Sequence, residues 1–453
     1  MSDNLFDVLA MAAPAPDKVV ATTPAGRQAT YGELFATARR FARALADLGV
    51  QPGDRVAAQV DKSLEALALY LGTEAAGGVF LPLNTAYTSH ELDYFMGDAE
   101  PRVMVAAPAR AHELISLAAS RRARLETLGR EGEGSLTDRM VAVRDDFASV
   151  PRRPDDLAAI LYTSGTTGRS KGAMLSHANL VSNARTLKEV WRFEASDVLL
   201  HALPIFHTHG LFVATNTLML AGGAMRFHPG FDADAVVADL PYATTMMGVP
   251  TFYTRLLAHP GFTRELVAHM RLFTSGSAPL SAEVHKAFLE RTGHAILERY
   301  GMTETNMNTS NPYDGGRRPG TVGFPLPGVD LRIADPESGR ELAHGAVGVI
   351  EVRGPNVFKG YWRMPEKTAE EFRDDGFFIT GDLGRIDEQG YVCIVGRDKD
   401  LIISGGFNVY PAEIESLIDA IPGVAESAVV GLPHPDFGEG VTAVVALKPG
   451  ADL

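Results

Sequence analysis

The chain has 453 residues, 45% of them hydrophobic, and carries 42 Lys and Arg against 56 Asp and Glu, which gives a net charge of −14. This length predicts two or three domains, and the acidic balance excludes an extended nucleic-acid surface, which needs basic residues along the phosphates. The single cysteine, Cys393, excludes an internal disulfide framework and is typical of a reducing compartment. The N-terminus lacks the basic start and apolar stretch of a secretory signal, and no segment predicts a membrane span. We therefore predict a cytoplasmic protein.

The first half of the chain alternates predicted helices and strands. Thr30 and Glu33 have the spacing of a capping box, and the apolar positions after them predict an amphipathic helix that ends at Gly49. A second helix is predicted at 64–76. Short apolar segments between the helical ones predict strands at 54–60, 79–83, 103–106, 157–162, 198–203 and 244–247. This alternation predicts a large α/β body with parallel sheets.

The second half changes in pattern from Gly345, where short alternating strands and turns begin. They predict a β-rich subdomain, about 325–397, that completes a large N-terminal domain, 1–397. Residues 398–453 then predict a small α+β C-terminal domain with one helix, 411–421. Because so few elements make a poor core, we interpret this small domain as incomplete.

The strongest chemical signal is a short loop after the predicted strand 157–162. It combines hydroxyls, glycines and one lysine, in the order Thr163, Ser164, Gly165, Thr166, Thr167, Gly168, Arg169, Ser170 and Lys171. Glycines let backbone N–H groups approach phosphate oxygens, hydroxyls donate further hydrogen bonds, and the lysine adds a positive charge. The loop is not a Walker loop, because serine rather than glycine precedes the lysine. It predicts a phosphate site, and a flexible solvated turn is the alternative.

Two further segments carry side chains that suit a nucleotide. In the first, the Tyr300 ring can stack on a purine, Thr303 can bond a phosphate or carboxyl oxygen, and Glu304 can hold the Mg²⁺ that accompanies ATP. In the second, Asp382 can accept and Arg397 can donate hydrogen bonds at the ribose hydroxyls. A structural role or a surface ion pair is the alternative for each of these residues taken alone.

Taken in order, the strings YTSGTTGRSKG, YGMTET, TGD, GRDKD and GGFNVYPAEIE resemble the adenylate-forming superfamily, which contains acyl-CoA synthetases, carrier-protein adenylation domains and beetle luciferases. The resemblance covers the chain from about residue 20 to its end. It implies a ligase that converts a carboxylic acid and ATP into an acyl-adenylate and pyrophosphate and then transfers the acyl group to coenzyme A. Segments 203–211 and 248–255 resemble malonyl-CoA synthetases, which implies malonate as the acid.

The resemblance also implies a role for each matching residue. The expected catalytic residues are Lys171, Thr303, Glu304 and His207, with Mg²⁺ held by Glu304. Besides the phosphate loop, the expected ATP and AMP site comprises Gly276, Ser277, Ala278, Pro279, Glu298, Arg299, Tyr300, Gly301, Met302, Thr303, Asp382 and Arg397. Lys399 matches the hinge about which the small domain turns between the two half-reactions. The expected coenzyme A site is Ser404, Gly405 and Gly406.

The far carboxylate of malonate needs a cation in the acid pocket, and a guanidinium meets a carboxylate with two parallel hydrogen bonds. Arg255 is the expected residue, with His207, Ser277 and Met302 also around the acid. A solvent-facing helical arginine is the alternative for Arg255. Whether methylmalonate is also accepted stays open, because one methyl group changes binding by only about 1–3 kcal/mol.

Three other functions stay open at this point. A carrier-protein adenylation domain would share the first half-reaction, a luciferase-type monooxygenase would oxidise the adenylate, and a non-catalytic protein would only bind the nucleotide. The expected small-molecule partners are malonate, ATP and coenzyme A, with no nucleic acid and no membrane. The oligomeric state is open, with a monomer favoured.

Members of the superfamily also carry a segment, Pro-x-x-x-x-Gly-Lys, whose lysine bridges the acyl carboxylate and the α-phosphate. Residues 1–453 do not contain it. Losing a lysine that stabilises transition-state charge costs about 2–4 kcal/mol, so we expect the 453-residue chain to adenylate slowly. A version extended by that segment should release pyrophosphate faster, and equal rates for the two would contradict this expectation.

Overall fold

A computed structural model describes residues 3–140, 144–163, 169–404, 407–434, 437–448 and 450–451. Its helices are, in chain order, α1 (Leu5–Ala12), α2 (Tyr31–Asp47), α3 (Leu64–Ala75), α4 (Ser89–Ala99), α5 (Ala111–Ser120), α6 (Ser135–Met140), α7 (His177–Val190), α8 (Thr217–Ala221), α9 (Ala233–Asp239), α10 (Pro250–Ala258), α11 (Arg264–Val267), α12 (Ala282–Thr292), α13 (Pro365–Glu370) and α14 (Pro411–Asp419). A π-helical segment, His209–Asn216, precedes α8.

The strands are β1 (Val19–Thr22), β2 (Gln28–Thr30), β3 (Arg55–Gln59), β4 (Val79–Pro82), β5 (Val103–Ala106), β6 (Arg124–Thr127), β7 (Leu157–Thr163), β8 (Lys171–Ser176), β9 (Val198–His201), β10 (Ala224–Phe227), β11 (Thr245–Gly248), β12 (Leu272–Ser275), β13 (Leu297–Met302), β14 (Asn306–Ser310), β15 (Phe324–Pro325), β16 (Asp330–Ala334), β17 (Gly348–Arg353), β18 (Phe378–Ile386), β19 (Val392–Arg397), β20 (Ile402–Ser404), β21 (Phe407–Val409), β22 (Val424–His434) and β23 (Gly438–Leu447). Within the described residues these strands form four sheets.

Two of the sheets form the large α/β body. The first has the strand order β6-β5-β3-β4-β7-β8 and is parallel except for the pair of β7 and β8. The second has the order β15-β14-β13-β12-β11-β9-β10-β1-β2. Its six adjacent strands β13-β12-β11-β9-β10-β1 are parallel. Each strand that the sequence predicted in the first half begins within one residue of an observed strand. The predicted α/β class with parallel sheets is confirmed.

Helix α2 shows how local sequence sets these elements. The Glu33 N–H donates to the Thr30 hydroxyl at 3.1 Å, and the Thr30 N–H donates to the Glu33 carboxylate at 2.8 Å, which completes the predicted capping box. The buried side of α2, which includes Leu34 and Phe41, packs against α3. Gly49 follows the helix with a φ of 90°, a left-handed conformation that glycine adopts without strain.

The two smaller sheets follow the large body. The sheet β16-β17-β18-β19 is antiparallel and contains the strands predicted for the β-rich subdomain. The sheet β21-β20-β23-β22 carries α14, which packs on β22. A short helical turn, Asp398–Asp400, connects β19 to β20 and contains Lys399. The domain boundary near residue 397 and the hinge stay predictions. Among the described helices, none combines the length and apolarity that a bilayer crossing requires.

Helices α2 and α3 approach each other closely at Gly72. A Cβ at this position would lie 2.6 Å from the Ala38 carbonyl oxygen and 2.8 Å from Phe41 Cβ. Because close-packed backbone yields little, this helix contact requires glycine.

We expect Gly72→Ala to lower the free energy of unfolding by about 1–3 kcal/mol, the usual cost of overpacking. The overpacking opposes the helix propensity of alanine, which favours the substitution by about 1 kcal/mol. Thermal unfolding followed by circular dichroism measures the effect. Gly230→Ala is the matched control, because a Cβ there meets no atom within 4 Å. Equal melting temperatures for the two variants would contradict the proposed close contact.

Candidate active site

The carboxyl ends of strands from both large sheets open into one cavity of about 690 Å³. Such sheet edges are where α/β proteins bind ligands. Its basic lining residues, among those the structure describes, are Lys171, Arg299, Arg397 and Lys399. The predicted residues Gly301, Met302 and Thr303 also line it. An anionic ligand therefore meets local cations here, although the chain as a whole is acidic.

The predicted phosphate loop is described at its two ends. Thr163, the last residue of β7, pairs with Lys171, the first residue of β8, and both line the cavity. Residues 164–168, which carry the rest of this prediction, lie outside the described part of the chain. Lys171 Nζ lies 2.7 Å from Glu371 Oε1 and 4.1 Å from the centre of the Tyr361 ring. The lysine of the predicted phosphate site therefore lies in the cavity and has a carboxylate partner.

Two carboxylates share one hydroxyl group beside this lysine. Tyr361 Oη lies 2.6 Å from Glu371 Oε2 and 3.1 Å from Glu304 Oε1. A phenol has one hydrogen to donate, so Tyr361 satisfies only one of these two oxygens at a time, and the Thr163 hydroxyl also lies 3.5 Å from Glu304 Oε1. Burial raises the pKa of Glu304. Burial would also raise the pKa of Glu371, but the bonds from Lys171 and Tyr361 outweigh it and lower that pKa. The oxygens of Glu304 fit Mg²⁺, which prefers hard oxygen ligands.

The predicted ribose-binding residues form an ion pair. Arg397 and Asp382 are partners in the ladder between β19 and β18, and Arg397 Nε lies 3.1 Å from Asp382 Oδ1. Tyr300 donates to Asp382 Oδ2 at 2.5 Å. Burial raises the pKa of both Tyr300 and Asp382. Arg397 lines the cavity, whereas Tyr300 and Asp382 are buried and are not among its described lining residues. Asp382 thus holds the guanidinium of Arg397 at the cavity wall.

Arg299 in β13 is a buried cation without a partner. Its side chain lines the cavity, the residue is 3% exposed, and none of its three guanidinium nitrogens has a hydrogen-bond partner among the described residues. Because β12 runs parallel to β13, Gly276 at the end of β12 comes against this guanidinium, and a Cβ there would lie 2.3 Å from Nη1. Burial lowers the pKa of Arg299 to about 9. An unpaired buried charge costs several kcal/mol, so this arrangement suits an anionic ligand.

Two histidines and a serine line the cavity together with Arg299. The His209 N–H donates to His207 Nδ1 at 3.3 Å, so a neutral His207 carries its hydrogen on Nε2. Ser277 Oγ lies 3.2 Å from His209 Nδ1, and Ser277 has a φ of 69°, a left-handed conformation that costs energy in serine. Burial and the charge of Arg299 lower the pKa of both histidines. At neutral pH the two histidines are therefore uncharged, and Arg299 supplies the positive charge in this part of the cavity.

The structure does not bring every predicted residue to the cavity. Arg255 lies on the exposed side of α10 and is not among the described lining residues, in contrast to its expected role beside the acid. The buried Glu298 carboxylate lies 3.0 Å from His285 Nδ1 in the core. The other described residues of the predicted sites that are not among the lining residues are Arg169, Ser170, Gly276, Ala278, Pro279 and Ser404. Gly405 and Gly406 lie outside the described residues.

Sequence reasoning missed Glu371, which lines the cavity, and Lys62, which holds the segment before His207. Lys62, just before α3, is buried, and its Nζ lies 2.8 Å from His201 Nδ1, from the His201 carbonyl oxygen and from the Leu203 carbonyl oxygen. Burial lowers the pKa of Lys62 well below its usual value. Lys62 stands in no recognisable motif, and Glu371 is 200 positions from Lys171. No local pattern could have indicated either residue.

Comparison with known proteins shows the family to which the chain belongs. The chain matches the model of the AMP-binding enzyme family over residues 9–362 and that of the AMP-binding enzyme C-terminal domain over residues 413–453. The crystal structure of ATP-bound MatB from Rhodopseudomonas palustris is 63% identical, with a TM-score of 0.98 over 100% of this chain and 90% of that one. A malonate–CoA ligase from Arabidopsis thaliana is 36% identical, covering 94% of this chain and 76% of that protein. A feruloyl-CoA synthase from an Amycolatopsis species is 37% identical, covering 94% of this chain and 85% of that protein. The chain therefore belongs to the AMP-binding enzyme family.

Proposed function

We propose that the protein is a malonate–CoA ligase. It converts malonate and ATP into malonyl-adenylate and pyrophosphate, and then converts the adenylate and coenzyme A into malonyl-CoA and AMP. Membership of the AMP-binding enzyme family supports the activation of an acid with ATP. The similarity to MatB and to a malonate–CoA ligase supports malonate as that acid. The observation that carries the proposal is the buried guanidinium of Arg299, for which the described part of the chain supplies no hydrogen-bond partner.

Malonate differs from monocarboxylic acids because a second carboxylate remains when the first is activated. Arg299 offers that carboxylate two parallel hydrogen bonds, and His207 Nε2–H and the Ser277 hydroxyl are further donors in the same wall of the cavity. A monocarboxylic acid would leave the buried cation unpaired, and a site with an unpaired buried polar group rejects such an analogue strongly. The acid end of the cavity therefore favours a small dicarboxylate.

In the first half-reaction, a malonate oxygen attacks the α-phosphorus of ATP, and the bond to the pyrophosphate oxygen breaks. Lys171 supplies positive charge to the phosphates, Thr303 hydrogen-bonds beside the reacting groups, and Arg397 binds the ribose. Mg²⁺ held by Glu304 would neutralise phosphate charge. Because no difficult proton transfer is needed, positioning and charge neutralisation supply most of the rate enhancement.

In the second half-reaction, the coenzyme A thiol loses its proton and its sulfur attacks the acyl carbonyl, which displaces AMP. A rotation of the C-terminal unit at Lys399 would bring Ser404 and the glycines that follow it to the reacting groups. The position of Lys399 at the cavity supports this role for it.

Overall similarity does not decide which acid is used. A malonate–CoA ligase and a feruloyl-CoA synthase are 36% and 37% identical to this chain, and their names specify different acids. The choice of malonate therefore depends on the side chains around the acid, above all Arg299.

We expect Arg299→Met to lower kcat/KM for malonate at least about 30-fold, because truncating one partner of a buried ion pair costs about 2–5 kcal/mol. MgATP binding should be unchanged, and the melting temperature should not fall, since the variant removes an unpaired buried charge. Malonate-dependent pyrophosphate release, titration calorimetry with MgATP and thermal unfolding measure the three effects. Turnover of acetate, which has no far carboxylate, should be affected much less than turnover of malonate.

Arg255→Met is the matched control, because it makes the same change on the exposed side of α10. Malonate turnover should stay within about twofold, as is usual for surface substitutions. Loss of malonate turnover in Arg255→Met, with normal turnover in Arg299→Met, would place the far carboxylate at Arg255 and contradict the assignment to Arg299.

A further inference from the structure

Lys171 and Glu371 form an ion pair inside the cavity. Their nitrogen and oxygen are 2.7 Å apart, and the two side chains are only 16% and 19% exposed. Tyr361 fixes the pair from one side, because its hydroxyl lies 2.6 Å from the second oxygen of Glu371 and its ring lies under the ammonium group. The carboxylate of Glu371 thus contacts the same ammonium group that a bound phosphate would contact.

Glu371 has a second cation within reach. Lys367, one turn earlier in the chain, has its Nζ 3.3 Å from Glu371 Oε1 and 3.1 Å from Glu370 Oε2. Lys367 is 37% exposed and is therefore better solvated than Lys171. Glu371 can stay paired with Lys367 after it loses Lys171, which reduces the cost of breaking the buried ion pair. The partner of Lys171 is therefore exchangeable.

We propose that Glu371 is an internal competitor of the nucleotide for Lys171. Its carboxylate binds the lysine until the triphosphate displaces it, and it takes the lysine back when pyrophosphate leaves. This inference rests on the proposed function, because it takes Lys171 as the phosphate-binding lysine. Only ionic partners are exchanged, and no covalent bond forms or breaks. A triphosphate displaces Glu371 from Lys171 because it carries more charge than one carboxylate. The competition weakens nucleotide binding and speeds the release of pyrophosphate.

Binding of MgATP in the absence of any acid tests the competition without turnover. Glu371→Gln removes the charge and keeps an oxygen that accepts from Tyr361. Its dissociation constant for MgATP in titration calorimetry should be about fivefold lower than that of the wild type, the effect typical of an ion pair with some exposure. Pyrophosphate should also bind more tightly, by a similar factor. Glu370→Gln is the matched control, because Glu370 pairs with Lys367 and is 66% exposed, and it should change either constant less than about twofold.

The same substitution in a Lys171→Met background separates the ion pair from general repulsion. There, Glu371→Gln should change MgATP affinity less than about twofold, because the contested cation is gone. Equal tightening in both backgrounds would mean that Glu371 only repels the nucleotide, and unchanged or weaker binding in Glu371→Gln would also overturn the proposal. Glu371→Asp keeps the charge but shortens the reach of the carboxylate, so it should also tighten MgATP binding. It replaces Glu371→Gln in this test if the glutamine variant does not fold.

Lys171→Met by itself tests the phosphate site separately from the competition. It should weaken MgATP binding. If it leaves that binding unchanged, the assignment of Lys171 to the phosphates is wrong and the role of Glu371 falls with it. If Lys171→Met weakens binding but Glu371→Gln does not tighten it, the phosphate site stands and only the competition is wrong.

Discussion

The burial of the Arg299 guanidinium, with no hydrogen-bond partner among the described residues, is the constraint on which the proposed acid end of the cavity depends. Taking a cation out of water costs several kcal/mol unless an anion meets it. The neighbouring residues leave room for that anion instead of satisfying the charge themselves. Gly276 omits the Cβ that would collide with Nη1, and both histidines of the group are held neutral. The rest of the domain supplies the stability that keeps this charge in place, as is common where a site is organised in advance for a charged ligand.

Lys171 and Arg299 line one cavity, but the two cations differ in their hydrogen-bond and ionic partners. No residue that the structure describes pairs with Arg299, whereas Lys171 is neutralised by Glu371. The charges of the proposed ligands explain the difference. A single carboxylate of a small acid has no charge advantage over a protein carboxylate, so the proposed acid would bind more weakly to a cation that was already paired. A triphosphate carries enough charge to take a cation from a carboxylate. An unpaired lysine would instead retain pyrophosphate after the first half-reaction.

Local sequence patterns predicted the structural features that interactions between nearby residues determine. The capping box at Thr30 and Glu33 and the strands of the first half are as expected, and the predicted family and α/β fold are confirmed. The predicted cation for the acid, Arg255, stays a prediction, and the structure places it away from the described lining of the cavity. The buried positions of α10, Phe252, Tyr253 and Leu256, place Arg255 on the opposite side of the helix, and this periodicity was available in the sequence. Arg299 needed the register of β12 against β13, which brings Gly276 to it, and no single segment contains that information.

The acid that the protein uses is likewise difficult to infer from overall sequence identity. The segment between β9 and the π-helical turn carries His207, and its geometry is fixed by Lys62, which hydrogen-bonds the carbonyls of His201 and Leu203. Lys62 follows β3 of one large sheet, and β9 belongs to the other, so the position of this segment of the cavity depends on how the two sheets pack. His201 extends the link, because its Nε2 lies 3.0 Å from the Gly210 carbonyl oxygen within that turn. In this chain, contacts between the two sheets, which no single sequence motif contains, therefore position the segment that carries His207.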